Sequence, residues 1–197
     1  HPEQGVVLPN LFIPSLEQTR LIIPVGNWAI EAACRQLHFW TEQGFSQWTL
    51  SLNLSPIQFE QPDIFQIVSS MLEKYSLSPS RLILEVTEST ALKNLDRSIE
   101  LLNAFNHAGI VVSIDDFGTG YASYARLKNV SADILKIDGS FIRSIVSNSL
   151  DYQIVASICH LARMKRMLVV AEYVESEEIR SAVISLGIDY MQGYLIG

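Results

Sequence analysis

Short apolar runs alternate with longer amphipathic stretches along this chain. The apolar or alternating runs predict six strands, at Trp48–Ser55, Leu82–Glu88, Ile110–Ile114, Ala132–Asp138, Met167–Glu172 and Ile188–Met191. Apolar residues at helical spacing predict helices between them, at Val25–Gln43, Pro62–Tyr75, Leu95–His107, Asp151–Met164 and Ser176–Leu186. Shorter helices are predicted over Ser15–Arg20 and Tyr121–Lys128, and residues 1–14 are predicted to form a loop. Regular β-α alternation with nearly continuous apolar strands predicts a parallel sheet covered by helices.

Each predicted strand carries a polar side chain close to its carboxyl end. In chain order these are Asn53, Glu85, the pair Asp115-Asp116, Lys136, Glu172 and Gln192. In a parallel barrel all carboxyl ends of the strands meet on one face, whereas an open sheet spreads them along a line. The pattern therefore favours an α/β fold of the TIM-like (β/α) barrel type.

The chemistry of these strand ends favours divalent cations. Asn, Asp and Glu oxygens without His or Cys are ligands for Mg²⁺, Mn²⁺ or Ca²⁺. Two adjacent Asp and two Glu can hold a pair of such ions, the arrangement used for phosphodiester hydrolysis. Alone, Asp115-Asp116 could equally form a solvated turn, and Asn53 could be a buried structural amide. Lys136 either stabilises charge in a transition state or forms an ion pair with Glu85 or Glu172.

Composition limits the classes of partner. The chain has 197 residues and a net charge of −7, and its longest basic cluster is Arg163-Met164-Lys165-Arg166, which argues against a DNA or RNA polymer as partner. Cys34 and Cys159 lie in apolar helical patterns typical of buried free thiols, although a single disulfide stays open. No apolar stretch reaches 18 residues and no signal peptide opens the chain, so we expect a cytoplasmic location.

Seven ordered motifs carry a resemblance to a known family. They are Phe12-Ile13-Pro14, Asn53-Leu54-Ser55, Glu85-Val86-Thr87-Glu88, Asp115-Asp116-Phe117-Gly118-Thr119-Gly120-Tyr121, Leu135-Lys136-Ile137-Asp138, Ala171-Glu172 with Val174-Glu175, and Gln192-Gly193-Tyr194. Together they resemble the EAL domain, the family of cyclic-di-GMP phosphodiesterases and their degenerate receptor relatives. The resemblance implies one partial EAL-type domain over residues 1–197, two Mg²⁺ or Mn²⁺ ions, and linearisation of cyclic-di-GMP to pGpG.

The resemblance also implies a role for each site residue. Asn53, Glu85 and Asp115 would bind a first ion, and Asp115, Asp116 and Glu172 a second one. The family often forms homodimers through the region of the acid-pair loop and the helix after it.

The remaining implied roles support the reaction around these ions. Lys136 would orient the attacking water, which Glu172 would help to deprotonate. Gln192 would support the site, Glu88 would hold the loop after the acid pair, and Asp138 would be a further site acid.

Three departures from the family pattern bear on activity. The Glu-Ala-Leu signature is absent from these 197 residues, so we expect a piece of a longer polypeptide whose barrel is incomplete at the first strand and at the C-terminal end. Such a piece is expected to be poorly stable or inactive alone, and membrane attachment would come only from domains outside it. Tyr173 replaces the usual Gly, which would strain the loop if the position needs a positive φ. The motif Tyr121-Ala122-Ser123-Tyr124 differs mildly from the usual one.

Three functions stay open from the sequence. The first is a metal-dependent phosphodiesterase acting on cyclic-di-GMP, favoured by the retained Lys136, Glu172 and acid pair. The second is a catalytically inactive receptor or protein-interaction module, favoured by Tyr173 and the missing signature. The third is a barrel lyase or aldolase that uses Lys136 as a Schiff-base amine.

Overall fold

The computed structural model describes residues 2–3, 5–119 and 130–196. The chain forms two compact units, His1–Leu84 and Glu85–Gly197, and the second strand runs across their boundary. The short helix predicted over 121–128, and the motif difference at 121–124, lie outside the described residues.

The first unit is mainly helical. Its elements are α1 (Pro9–Gln18), α2 (Ile22–Glu42), β1 (Leu50–Asn53), α3 (Pro56–Phe59), α4 (Ile64–Lys74), a 3₁₀ turn (Pro79–Arg81) and the start of β2 (Leu82–Thr87). The prediction of a loop over residues 1–14 is wrong, because α1 begins at Pro9. Proline suits the first helical turn, where its missing N–H has no partner to lose, and Pro14 further along removes only one internal hydrogen bond.

The segment that leads into β1 is held by one buried arginine. Arg81 Nε donates to the Trp48 carbonyl oxygen at 2.9 Å, and its Nη2 donates to the Phe45 carbonyl oxygen at 3.1 Å. Its Nη1 donates to the Thr41 hydroxyl at the end of α2. These bonds fix the approach to β1, whose last residue is Asn53.

The second unit carries the parallel sheet. After the end of β2 it contains α5 (Glu88–Lys93), α6 (Leu95–His107), β3 (Val111–Phe117), β4 (Ile134–Ile137), α7 (Gly139–Ser144), α8 (Ser149–Met164), β5 (Leu168–Ala171), α9 (Glu177–Ser185) and β6 (Tyr190–Met191). The strands neighbour one another in chain order from β2 to β6, and the pairs β3–β4, β4–β5 and β5–β6 are parallel. Side chains on both faces of β3 and β4 are buried, as expected for a parallel sheet covered by helices.

Two aspartates anchor the sheet in the same way. Asp133, just before β4, donates its N–H to the Val112 carbonyl oxygen at 2.9 Å and accepts from the Val112 N–H at 2.8 Å through Oδ2. Asp189, just before β6, makes the same two bonds with Val169, at 3.1 Å and 2.8 Å. Each aspartate thus continues the ladder by one residue and satisfies a buried backbone donor.

We expect Asp133→Ala to destabilise the protein by about 1–3 kcal/mol, because it leaves the N–H of fully buried Val112 without an acceptor. Chemical denaturation measures the change. The matched control is Glu100→Ala, which removes an exposed acid from α6 and should leave the midpoint unchanged. Equal midpoints for Asp133→Ala and Glu100→Ala would contradict the anchoring role.

Two further sequence predictions can be compared with the described residues. Cys34 and Cys159 are both buried and free, which confirms the prediction of unpaired thiols. Burial raises the pKa of Cys34 to about 11. Within the described residues, every helix is too short or too polar to cross a membrane.

Candidate metal centre and pocket

The acid pair lies at an irregularity of β3. Ile114 pairs with Leu135 and Phe117 with Ile137, so β3 contains one residue more than β4 between these two pairs. Such an extra residue is a β-bulge, and Asp116 within it has a φ of +54°. Aspartate tolerates this left-handed conformation better than most side chains.

The bulge brings two consecutive carboxylates together. In a regular strand the side chains of Asp115 and Asp116 would point to opposite faces. Here one carboxylate oxygen from each lies within 4.8 Å of the other and of a carboxylate oxygen of Glu172, the residue after β5. This acid cluster of Asp115, Asp116 and Glu172 offers hard oxygen ligands at a spacing suited to a divalent cation.

Lys136 of β4 sits against these acids. Its Nζ lies 2.8 Å from Glu172 Oε1, 2.9 Å from Asp115 Oδ1 and 3.1 Å from Glu85 Oε2. The lysine side chain is only 7% exposed, so the ammonium is enclosed by carboxylates from three strand ends. The ion-pair alternative is therefore observed, and it involves both Glu85 and Glu172 as well as Asp115.

The protonation of these groups follows from their surroundings. Burial alone would lower the pKa of Lys136, but its hydrogen bonds to Glu172 and Asp115 and the charge of Glu85 raise that pKa above its ordinary value. Burial and the neighbouring charge of Asp115 raise the pKa of Asp116. Lys136 is therefore a permanent cation among the acids. A Schiff-base mechanism needs a neutral amine, so the geometry disfavours the lyase or aldolase reading.

The loop after the acid pair is held by the buried carboxylate of Glu88. Gly118 has a φ of +105°, and its N–H donates to Oε2 of buried Glu88 at 2.8 Å. A Cβ at Gly118 would lie 2.7 Å from Cε2 of Phe141, so no larger residue fits. Glu88 begins α5 directly after the Thr87 cap, which places its carboxylate under this loop.

A pocket of about 440 Å³ opens beside the acid cluster. Its lining includes Asp116, Glu172, Asp138, Gln192, Tyr173 and Tyr194. Asp138 also caps α7, because its Oδ1 accepts from the Ser140 N–H at 2.8 Å. Gln192 is held through its backbone, which donates to the Ala171 carbonyl oxygen at 2.9 Å and accepts from the Val174 N–H at 3.0 Å.

The second unit thus unites all but one of the residues singled out from the sequence. Glu85, Asp115 and Glu172 share Lys136, and Asp116, Asp138, Glu172 and Gln192 share the cluster or the pocket. Asn53 belongs to the first unit, at the end of β1. Tyr194 also lines the pocket; it belongs to the last of the seven sequence motifs, but the resemblance implied no role for it.

Comparison with known proteins identifies the family. The sequence model of the EAL domain family matches residues 1–197, and the chain therefore belongs to this family. The α/β, TIM-like (β/α) fold predicted from the sequence is confirmed by solved EAL structures. One of them, the PaMucR phosphodiesterase in complex with c-di-GMP, has a TM-score of 0.95 and 42% identity, covering 100% of this chain and 80% of that one.

Curated relatives are much longer than this chain. The cyclic di-GMP phosphodiesterase PdeF of Escherichia coli K12 is 56% identical over 194 residues, which are 98% of this chain and 26% of PdeF. The bifunctional diguanylate cyclase/cyclic di-GMP phosphodiesterase MucR of Pseudomonas aeruginosa is 42% identical over 197 residues, 100% of this chain and 29% of MucR. The chain therefore spans between a quarter and a third of these relatives.

The chain also offers what a metal-dependent member of the family requires. The acid cluster supplies three carboxylate oxygens that a cation could share, and all three residues lie at strand ends of one sheet. Carboxylate oxygens without imidazole or thiolate fit Mg²⁺ or Mn²⁺ better than softer metals. The residues therefore fit a divalent cation of this kind.

Proposed function

We propose that this EAL domain hydrolyses one phosphodiester bond of cyclic-di-GMP and releases linear pGpG, with the help of two Mg²⁺ or Mn²⁺ ions. The observation that carries the proposal is the bulge-built acid cluster with Lys136 enclosed beside it. The names of the relatives support the substrate, because PdeF is called a cyclic di-GMP phosphodiesterase and the PaMucR structure is a c-di-GMP complex.

The acids of the second unit would hold the ions. Asp115, Asp116 and Glu172 would ligate one ion, and Asp115 would share a second ion with Glu85. When bound, a pair of divalent ions supplies Lewis-acid stabilisation of the phosphoryl oxygens and lowers the pKa of an attacking water. The bulge allows Asp115 and Asp116 to act together.

The other residues would serve the reaction from around this centre. Lys136 would present its permanent positive charge to the attacking water and to the developing negative charge, and Glu172 would accept the proton of that water. Asp138 and Gln192 would bind or orient substrate from the pocket wall. Glu88 would keep the Gly118 loop in place beneath the acid pair.

Hydrolysis of cyclic-di-GMP by the full-length protein tests the proposal. We expect chromatography to show pGpG in the presence of Mn²⁺ or Mg²⁺ and none after treatment with EDTA, because the proposed reaction needs the bound ions as Lewis acids. Addition of Mn²⁺ after EDTA should restore the product. Folded protein that binds Mn²⁺ and yields no pGpG would refute the enzymatic function.

A receptor function is the second candidate, and Tyr173 favours it. This residue adopts a φ of +55° directly after Glu172, where the family usually has Gly. The FimX EAL domain of Xanthomonas citri, 26% identical with a TM-score of 0.90 over 98% of this chain, was solved in complex with c-diGMP. Calorimetry that shows cyclic-di-GMP binding without any pGpG would establish the receptor instead. Homodimerisation and a cytoplasmic location stay predictions.

A further inference from the structure

Tyr173 is the one left-handed residue without a local structural cause among the described non-glycine residues. Arg20, Ser76 and Arg166 each follow the last turn of a helix, where a left-handed residue ends the helix in the usual way. Asp116 lies in the β-bulge. Tyr173 follows β5 in an extended connection and still adopts a φ of +55°, a conformation that is strained for an aromatic side chain.

Contacts with α7 hold Tyr173 in this conformation. A Cβ at Gly139 would lie 2.1 Å from Cδ2 and 2.7 Å from Cγ of Tyr173, so the ring occupies the space of the missing side chain. Gly139 is not among the glycines with positive φ, and its lack of a side chain therefore matters for space. The guanidinium carbon of Arg143, one helical turn further on, lies 4.0 Å from the ring centroid.

These contacts join two segments of the pocket. Tyr173 directly follows Glu172 of the acid cluster, and Gly139 directly follows Asp138. Tyr173 is 43% exposed, so burial of apolar surface is a weak reason for tolerating the strained backbone. A strained residue that is half exposed, lines a pocket and adjoins a cluster carboxylate has the features of a functional position.

We propose that Tyr173 is a positioning residue. Its ring, placed on Gly139 and covered by Arg143, fixes the backbone after β5 and thereby the place of the Glu172 carboxylate in the acid cluster. The affinity of the cluster for divalent cations then depends on this contact. The inference rests on the proposed function only in the choice of Mn²⁺ as the ion.

Three variants distinguish the effect of the Tyr173 ring from the effect of its strained backbone conformation. Tyr173→Phe keeps the ring and its contact with Arg143. Tyr173→Gly removes the ring and relieves the strained φ, and Gly139→Ala displaces the ring while Tyr173 is still present. Arg166→Gly is the matched control, because it also replaces a left-handed residue by Gly but at the end of α8.

Calorimetric titration of the metal-free proteins with Mn²⁺ gives the main result. We expect Tyr173→Phe and Arg166→Gly to bind as the wild type does, and Tyr173→Gly to bind roughly 10–100-fold more weakly, the effect of losing an outer-shell partner. Gly139→Ala should weaken binding to a similar degree with Tyr173 present and by less than about twofold in the Tyr173→Gly background, because the two changes break the same contact. The melting temperature of Tyr173→Gly should not fall with the affinity, since Gly relieves strain.

Hydrogen exchange of the metal-free protein gives an independent readout. The N–H of Val174, which donates to the Gln192 carbonyl oxygen at 3.0 Å, should exchange faster in Tyr173→Gly than in the wild type and Tyr173→Phe. Wild-type Mn²⁺ affinity in Tyr173→Gly, or equal effects of Gly139→Ala in both backgrounds, would overturn the proposal. Wild-type protein that binds Mn²⁺ but yields no pGpG would refute hydrolysis alone, because the comparison of affinities among the variants would still hold.

Discussion

Lys136→Ala is expected to reduce hydrolysis of cyclic-di-GMP by at least about 10²-fold in kcat, the effect of removing one preorganised stabilising group. Lys136 is the cation that contacts Glu85, Asp115 and Glu172 within 3.1 Å, and its side chain is almost fully buried. Steady-state assays with saturating Mn²⁺ measure the loss.

The same substitution should have a separate effect on stability. In the metal-free protein the substitution leaves three buried carboxylates without their shared cation. We expect the free energy of unfolding to fall by about 3–5 kcal/mol, as it does when one partner of a buried ion pair is removed. Mn²⁺ should restore much of this stability, because it neutralises the same acids. The exposed Lys74, which pairs with Glu31 at 2.6 Å, provides the control, and Lys74→Ala should leave kcat unchanged. Hydrolysis within about twofold of wild type in Lys136→Ala would remove the lysine from the proposed mechanism.

Asp115→Asn is expected to weaken Mn²⁺ binding by more than the roughly 10–100-fold caused by loss of an outer-shell partner. Asp115 belongs to the acid cluster, also contacts Lys136, and is proposed to be shared by both ions. Asparagine has nearly the same shape but lacks the charge. We therefore expect calorimetry to show weaker Mn²⁺ binding and the hydrolysis assay to show loss of activity in the same variant.

A control and a contrary result make this test specific. Asp96→Asn changes an exposed acid in the first turn of α6 and should leave Mn²⁺ affinity unchanged. Unaltered Mn²⁺ affinity in Asp115→Asn would show that the acid cluster is not the metal site. Lost affinity with a melting temperature equal to that of the metal-free wild type would support a local effect on the ions.

Much of the fold could be predicted because its strands are unusually apolar. The runs that form β2 and β4 have side chains buried on both faces, and such runs are identified from hydrophobicity alone. The start of α1 could not be predicted in the same way. Pro9 and Pro14 are read as helix breakers from sequence, whereas Pro9 stands at the first helical position, where proline is tolerated, and α1 continues through Pro14 despite the lost internal hydrogen bond.

The site could be predicted only as a set of residue types. Strand ends converge in a parallel fold, so the polar residues at those ends were expected to meet, and Glu85, Asp115 and Glu172 do meet at Lys136. Their mutual arrangement depends on backbone conformation, which leaves no periodic trace in the sequence. The bulge is the clearest example, since alternation alone would separate the two aspartates.

Tyr173 was singled out from the sequence, but only the structure shows its backbone conformation. The family usually has Gly after Glu172, which raised the question of whether the position needs a positive φ, and the structure has a positive φ at Tyr173. The compensating contacts come from Gly139 and Arg143, which lie 34 and 30 residues earlier in the chain. A pair of residues so far apart cannot be matched from one sequence.

The bulge in β3 has a consequence for recognising the same centre in other chains. Two neighbouring aspartates are an informative marker only if the chain also contains one surplus residue at this point and a glycine two positions after the second acid, where Gly118 meets Phe141. A protein with both acids in a regular strand would direct their side chains to opposite faces of the sheet. It would lack the metal centre although both aspartates were still present in its sequence. Counting residues between the paired positions of β3 and β4 is therefore a sharper criterion for a working centre than identity at the acids themselves.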